Sequence, residues 1–161
     1  MLPRNILIAS LQVYFLVMNL TVEREYCNGP LNPASSTPFV AQAVDFGRTN
    51  NPLFVERPEW LVQATCASAY IMCIFYVLSL YLAVTDSWGR GPLARVALPL
   101  FLGGKLYAIS FYHYMEFTSH APPPNLVPYW AAEGPYLLNM GLLLHKVVSM
   151  AAADGKGAKQ Q

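Results

Sequence analysis

Eight polar or ionisable residues fall where the chain is otherwise apolar: Asn19, Glu23, Ser68, Lys105, His113, Glu116, Glu133 and Asn139. In hydrocarbon such groups are costly unless they are paired or line a cavity, so they are the first places to look for chemistry. Three are carboxylic acids. Carboxylates held close together in a dry pocket raise one another's proton affinity, leaving one able to donate a proton while another accepts. That is what acid/base work on a hydrocarbon double bond requires. The alternative for Glu23 and Glu116 is an interfacial place at helix ends, in contact with water.

The elements that must position these residues are four apolar stretches, Ile6 to Val22, Trp60 to Val84, Val96 to Met115 and about Val127 to Met150. Each approaches the ~20 residues a helix needs to cross ~30 Å of hydrocarbon. The composition agrees: 55% of the 161 residues are hydrophobic and 12% are charged, against about 25% charged in an average soluble protein. The first stretch follows Arg4 as the core of a signal peptide would, yet no A-x-A-like cleavage site follows it. The expected fold class is therefore all-α, an integral membrane four-helix bundle with a long extramembrane loop between helices 1 and 2.

That loop runs from Tyr26 to Glu59, where Pro30, Pro33, Pro38, Pro52 and Pro58 exclude a long helix. The membrane domain is expected over residues 1–150, with a flexible polar tail over 151–161. Spans one and three run in the same direction, so Glu23 and Glu116 end at one membrane level, and Glu133 enters span four from that side. Lys105 and Glu116, eleven residues apart, share a face but lie ~16 Å apart along the axis and cannot pair. Lys105 either snorkels to the near interface or meets a partner in another span or chain. Pro135, after Gly134, is expected to loosen or kink span four.

Charge placement gives an orientation. With four spans, both termini share a side with the Asp86 to Arg95 loop, and that side holds Arg4, Arg90, Arg95, Lys146, Lys156 and Lys159. The positive-inside rule puts it toward the cytoplasm or matrix. Ten Lys and Arg against nine Asp and Glu leave no basic field to hold a nucleic acid. Few charges in four spans also leave little to line a channel. Cys66 and Cys73, inside an apolar segment, argue against a disulfide-stapled secreted scaffold, and no metal site or cofactor is expected.

Several ordered strings resemble the EXPERA superfamily. Cys66-Ala67-Ser68-Ala69-Tyr70-Ile71-Met72-Cys73, with Leu78-Ser79-Leu80-Tyr81 beyond it, resembles the third membrane helix of the sterol Δ8-Δ7 isomerases, the emopamil-binding branch. Gly104-Lys105-Leu106-Tyr107, followed by Tyr112 and Glu116, resembles their next helix, and Asn139 falls where the last helix carries an asparagine. The string from Asn51 to Trp60 is more similar to the sigma-2 receptor branch.

The resemblance implies a bundle around a cavity open to lipid that accepts a sterol or a cationic amphiphile. It implies Glu116 and Glu23 as the catalytic acids of an enzyme, and Asn139, Ser68, Asn19 and Tyr112 as ligand contacts, to which the topology adds Glu133. The chain departs from the pattern in three places: the family histidine is Asn19, an acid of the second span is Ser68, and a tryptophan is Leu142. An amide cannot hold a proton near neutral pH. Each lost acid/base group removes typically 10²–10⁴-fold in rate.

Two functions are therefore expected. One is a non-catalytic module that binds a membrane lipid or sterol, as a homodimer or as an accessory subunit of a membrane protein complex. The other is a sterol isomerase working through its carboxylates. The endoplasmic reticulum and the mitochondrial inner membrane both suit such a chain.

Overall fold

Proline, acid and left-handed turn residues set the ends of the long helices. The computed structural model describes residues 3–157, of which Leu93 and residues 153–157 are described by backbone alone. Helix α1, Pro3–Asn28, opens on a proline, whose fixed φ and missing N–H suit a first helical position. Two short helices follow, α2 (Val40–Asn50) and α3 (Pro52–Glu56). Helix α4, Glu59–Thr85, starts behind Pro58 with an acid in its first turn and stops at Asp86, which takes the left-handed conformation common after a helix end. Helix α5 covers Ala94–Thr118 and α6 covers Leu126–Gly157. No strand occurs among the described residues.

The protein is an integral membrane protein on this evidence: α1, α4 and α5 are long and apolar enough to cross a bilayer. The fourth expected span is a helix of 32 residues but is not among them. Glu133, Pro135, Asn139, His145 and Lys146 dilute its apolar run. Outward faces carry Ile74, Val77, Leu100, Tyr107, Tyr114 and Val148, a coat that water would not tolerate over such an area. Pro135 does not break α6, although its ring leaves the Ala131 carbonyl without its intrahelical donor. The helix also runs on through residues 151–157, where a flexible tail was expected; residues 158–161 lie outside the described residues.

Helices α1 and α4 pack antiparallel. Asn5 Nδ2 donates to Asp86 Oδ1 at 2.7 Å at one end, and Cys27 is bonded to Cys66 at the other. This crosslink was not expected from the apolar setting of Cys66; it forms because Cys27 ends α1 level with the second turn of α4. Ile8 and Phe15 of α1 meet Phe75, Tyr76 and Leu82 of α4, Leu98 and Leu102 of α5, and Met140 and Leu143 of α6 in one core. In lipid no aqueous transfer term drives such contacts together, so the core is held by close van der Waals packing of these side chains.

Inside this core, Gln12 Nε2 donates to Asn139 Oδ1 at 2.6 Å, and both side chains are fully buried. Replacing one amide with leucine strands the other, so Gln12→Leu or Asn139→Leu alone should lower stability by about 1–3 kcal/mol. The double variant should recover most of that loss. Denaturant unfolding in detergent checks it, and a double variant as weak as the sum of the singles would refute the pairing.

The segment expected as loop is mostly helical. Its prolines bound a proline-free stretch, and Val40, Val44 and Gly47 form the buried face of α2. A side chain at Gly47 would meet Val55 Cγ2 at 2.7 Å, so α2 and α3 need the glycine to approach. Asn51 caps α3 by accepting from the Phe54 amide at 3.1 Å, with Pro52 following at the favoured first position. Arg57 lies over the Tyr26 ring at 4.8 Å and donates to the Tyr26 carbonyl at 2.5 Å. Together α2 and α3 form a cap over one end of the long helices.

Candidate functional site

Below this cap the helices part around a cavity of ≈ 480 Å³, within the range usual for small-molecule sites. From α1 it is lined by Tyr14, Met18, Val22 and Glu23, and from the cap by Phe39, Phe46, Asn51 and Phe54. Leu61, Thr65, Ser68 and Met72 of α4, Lys105, Ile109 and Tyr112 of α5, and Glu133 and Tyr136 of α6 also line it, with Gln42 of α2 and several alanines between them. Most of that wall is apolar or aromatic, and its ionisable groups are Glu23, Lys105 and Glu133 with the tyrosines.

Glu23 and Ser68 reach the wall from unusual backbone. Asn19–Glu23 in α1 and Ser68–Met72 in α4 are π-helical turns, which recur at functional sites. They face each other, and Asn19 Nδ2 donates to the Ser68 carbonyl at 2.8 Å. Asn19 is fully buried in this role and is not part of the cavity wall.

Lys105 does not snorkel. It is 6% exposed, its Nζ donates to Ser68 Oγ at 3.3 Å, and the Tyr76 and Tyr136 rings lie 5.3 and 5.7 Å away. Ser68 of α4 is thus the hydrogen-bond partner of Lys105, from another helix of the same chain, and the Glu23 carboxyl is close enough for the ammonium to act on it electrostatically. Tyr112 forms a second polar station. Its hydroxyl accepts from Asn51 Nδ2 at 3.0 Å and donates to Glu133 Oε1 at 3.4 Å.

The expected site residues divide accordingly. Glu23, Ser68, Tyr112 and Glu133 converge on the cavity, whereas Glu116, Asn19 and Asn139 do not form its wall. Glu116 is fully buried beside Asn51 and Tyr112, so it is neither interfacial nor open to the cavity. Asn139 is held by Gln12 instead of meeting a ligand. Tyr136 was missed, although three residues after Glu133 it shares that helix face. The cap residues were missed because a stretch read as loop does not announce that it folds back over the bundle. Among the described residues no group of His, Cys, Asp and Glu is arranged to hold a metal ion.

Chemically, the site offers an apolar enclosure with two polar stations, Glu23–Ser68–Lys105 and Asn51–Tyr112–Glu133. This suits an amphipathic guest with few polar atoms. Comparison with known proteins adds no relative: no family model, no curated protein and no solved structure matches the chain.

Proposed function

We propose that this chain is a four-span membrane protein of EXPERA type that binds a sterol or similarly shaped lipid between α1, α4, α5 and α6 without transforming it. The observation that carries this reading is the ≈ 480 Å³ apolar cavity with Glu23, Lys105 and Glu133 on its wall. α6, too polar by composition alone, joins as a span because its polar residues turn inward: Asn139 and Lys146 are buried. Turnover is disfavoured because the family's histidine and one acid are Asn19 and Ser68, which cannot supply the proton transfers those groups would make. Serving as an accessory subunit of a larger membrane assembly is compatible with the same fold, and copurification at fixed stoichiometry is its measurement.

Two observations support an orientation. The Cys27–Cys66 bond lies at the capped end, as expected of an oxidising lumen or intermembrane space. Arg4, Arg90, Arg95 and Lys146 gather at the opposite end, as expected of the cytoplasmic or matrix face.

The test uses the purified chain with a photoactivatable sterol and, separately, a Δ8-sterol. Labelling should be saturable and should fall several-fold in Glu133→Leu while surviving in Asn139→Leu, and the Δ8-sterol should be returned unchanged. One specific observation favours the rival isomerase: two carboxylic acids, Glu23 and Glu133, do share the cavity. Formation of Δ7 product that vanishes in Glu23→Gln or Glu133→Gln would establish it.

A further inference from the structure

A second hollow, of ≈ 500 Å³, lies at the other end of the protein, where α4 turns into α5. Its wall brings together Tyr81, Leu82, Thr85, Ser87, Arg90 and Gly91. Thr85 closes one apolar helix and α5 begins a few residues later, so the hollow lies at the boundary between hydrocarbon and headgroups. From the geometry we infer that it seats the phosphate of an anionic phospholipid.

The donors suit an oxyanion. Arg90 is exposed and its guanidinium is in no ion pair among the described residues, leaving its fork of N–H groups for a phosphate. Thr85 Oγ1 donates to the Tyr81 carbonyl at 2.7 Å and so accepts from Ser87 Oγ at 2.6 Å, which leaves the guanidinium as the side-chain donor on this wall. Gly91, at φ 71°, leaves open space where a side chain would stand, so backbone is accessible beside the arginine.

The charge balance excludes a cationic guest. Asp86, the acid of this turn, is taken by Asn5 Nδ2 at 2.7 Å, whereas Arg4, Arg95 and Lys146 lie at the same end of the bundle. Tyr81 is about half exposed on the membrane-ward side and gives the first acyl methylenes an apolar surface. A zwitterionic phosphatidylcholine carries the same phosphate but places a cation beside it, so the arginine selects for net negative charge.

The experiment is native mass spectrometry of the full chain released from nanodiscs that mix phosphatidylglycerol with phosphatidylcholine. The wild-type chain should retain phosphatidylglycerol in excess of its share, and inorganic phosphate at millimolar concentration should not displace it. Arg90→Gln should lower that retention roughly fivefold, the effect of about one interfacial cation. Arg90→Lys should keep most of it, and Arg48→Gln, on the capped side, should change nothing. Equal retention in wild type and Arg90→Gln, or equal losses in Arg90→Gln and Arg48→Gln, would overturn the site. Complete displacement by inorganic phosphate would overturn the lipid as its occupant and leave a site for free phosphate.

Discussion

Lys105→Met should destabilise the protein by up to about 3 kcal/mol, a loss that Glu23→Gln in the same chain largely restores. The argument rests on what each change leaves behind. Lys105 is buried, and the nearest compensation for the Glu23 carboxylate is its ammonium, with Ser68 between them. No direct ion pair joins the two and Glu23 is only half-buried, so the roughly 3–5 kcal/mol typical of breaking a buried charge pair is an upper bound. The lower figure applies here, since the cavity gives Glu23 some relief and the Ser68 and Tyr136 hydroxyls remain. Neutralising both ends removes the stranded charge, so the double variant should unfold close to wild type. Denaturant titration in detergent of the four proteins measures the coupling. A Lys105→Met chain as stable as wild type would mean that the lysine does not compensate Glu23.

The second large effect belongs to the crosslink. Reducing Cys27–Cys66, or replacing both residues with serine, should lower stability by about 2–4 kcal/mol. For a closure spanning 39 residues the chain-entropy relation gives about 4 kcal/mol. That is an upper bound, because α1 and α4 stay side by side in the bilayer once the bond is cut. The closed segment is the cap, so its amides should exchange hydrogen faster while those of α5 should not. Cys73→Ser is the control: its thiol is free and meets the Tyr70 carbonyl at 3.2 Å. Thermal unfolding with and without reductant distinguishes the two. If the double-serine protein unfolds like wild type, the bond does not restrain the cap.

The long helices were legible because hydrocarbon imposes a length, and the apolar runs from Trp60 and Val96 match α4 and α5 within a few residues. Glu133 was legible too, since it and Glu23 both line the cavity, as the expected alternation of the spans brings them to one level. The cap was not. A segment dense in proline reads as loop, and only the spacing of Val40, Val44 and Gly47 marks the helix inside it.

The asparagines misled for a different reason. A carboxamide inside a span must find partners, and whether these belong to a ligand or to the fold depends on helix rotation. Asn19 reaches the Ser68 carbonyl in the facing π turn and Asn139 reaches Gln12, and neither pairing follows from linear spacing. The Cys27–Cys66 bond likewise depends on the axial register of two helices.

The cap is fastened at several points: Asn51 to Tyr112, Glu56 to His120 at 2.7 Å, and the Thr49 carbonyl to Asn125 at 3.1 Å, besides the disulfide. For the lipid guest proposed above, a roof fastened in this way would hinder delivery by diffusion from solution, so traffic would run sideways, between acyl chains. Occupancy would then follow the guest's mole fraction in the leaflet, and a modest intrinsic affinity would suffice to keep the chamber filled.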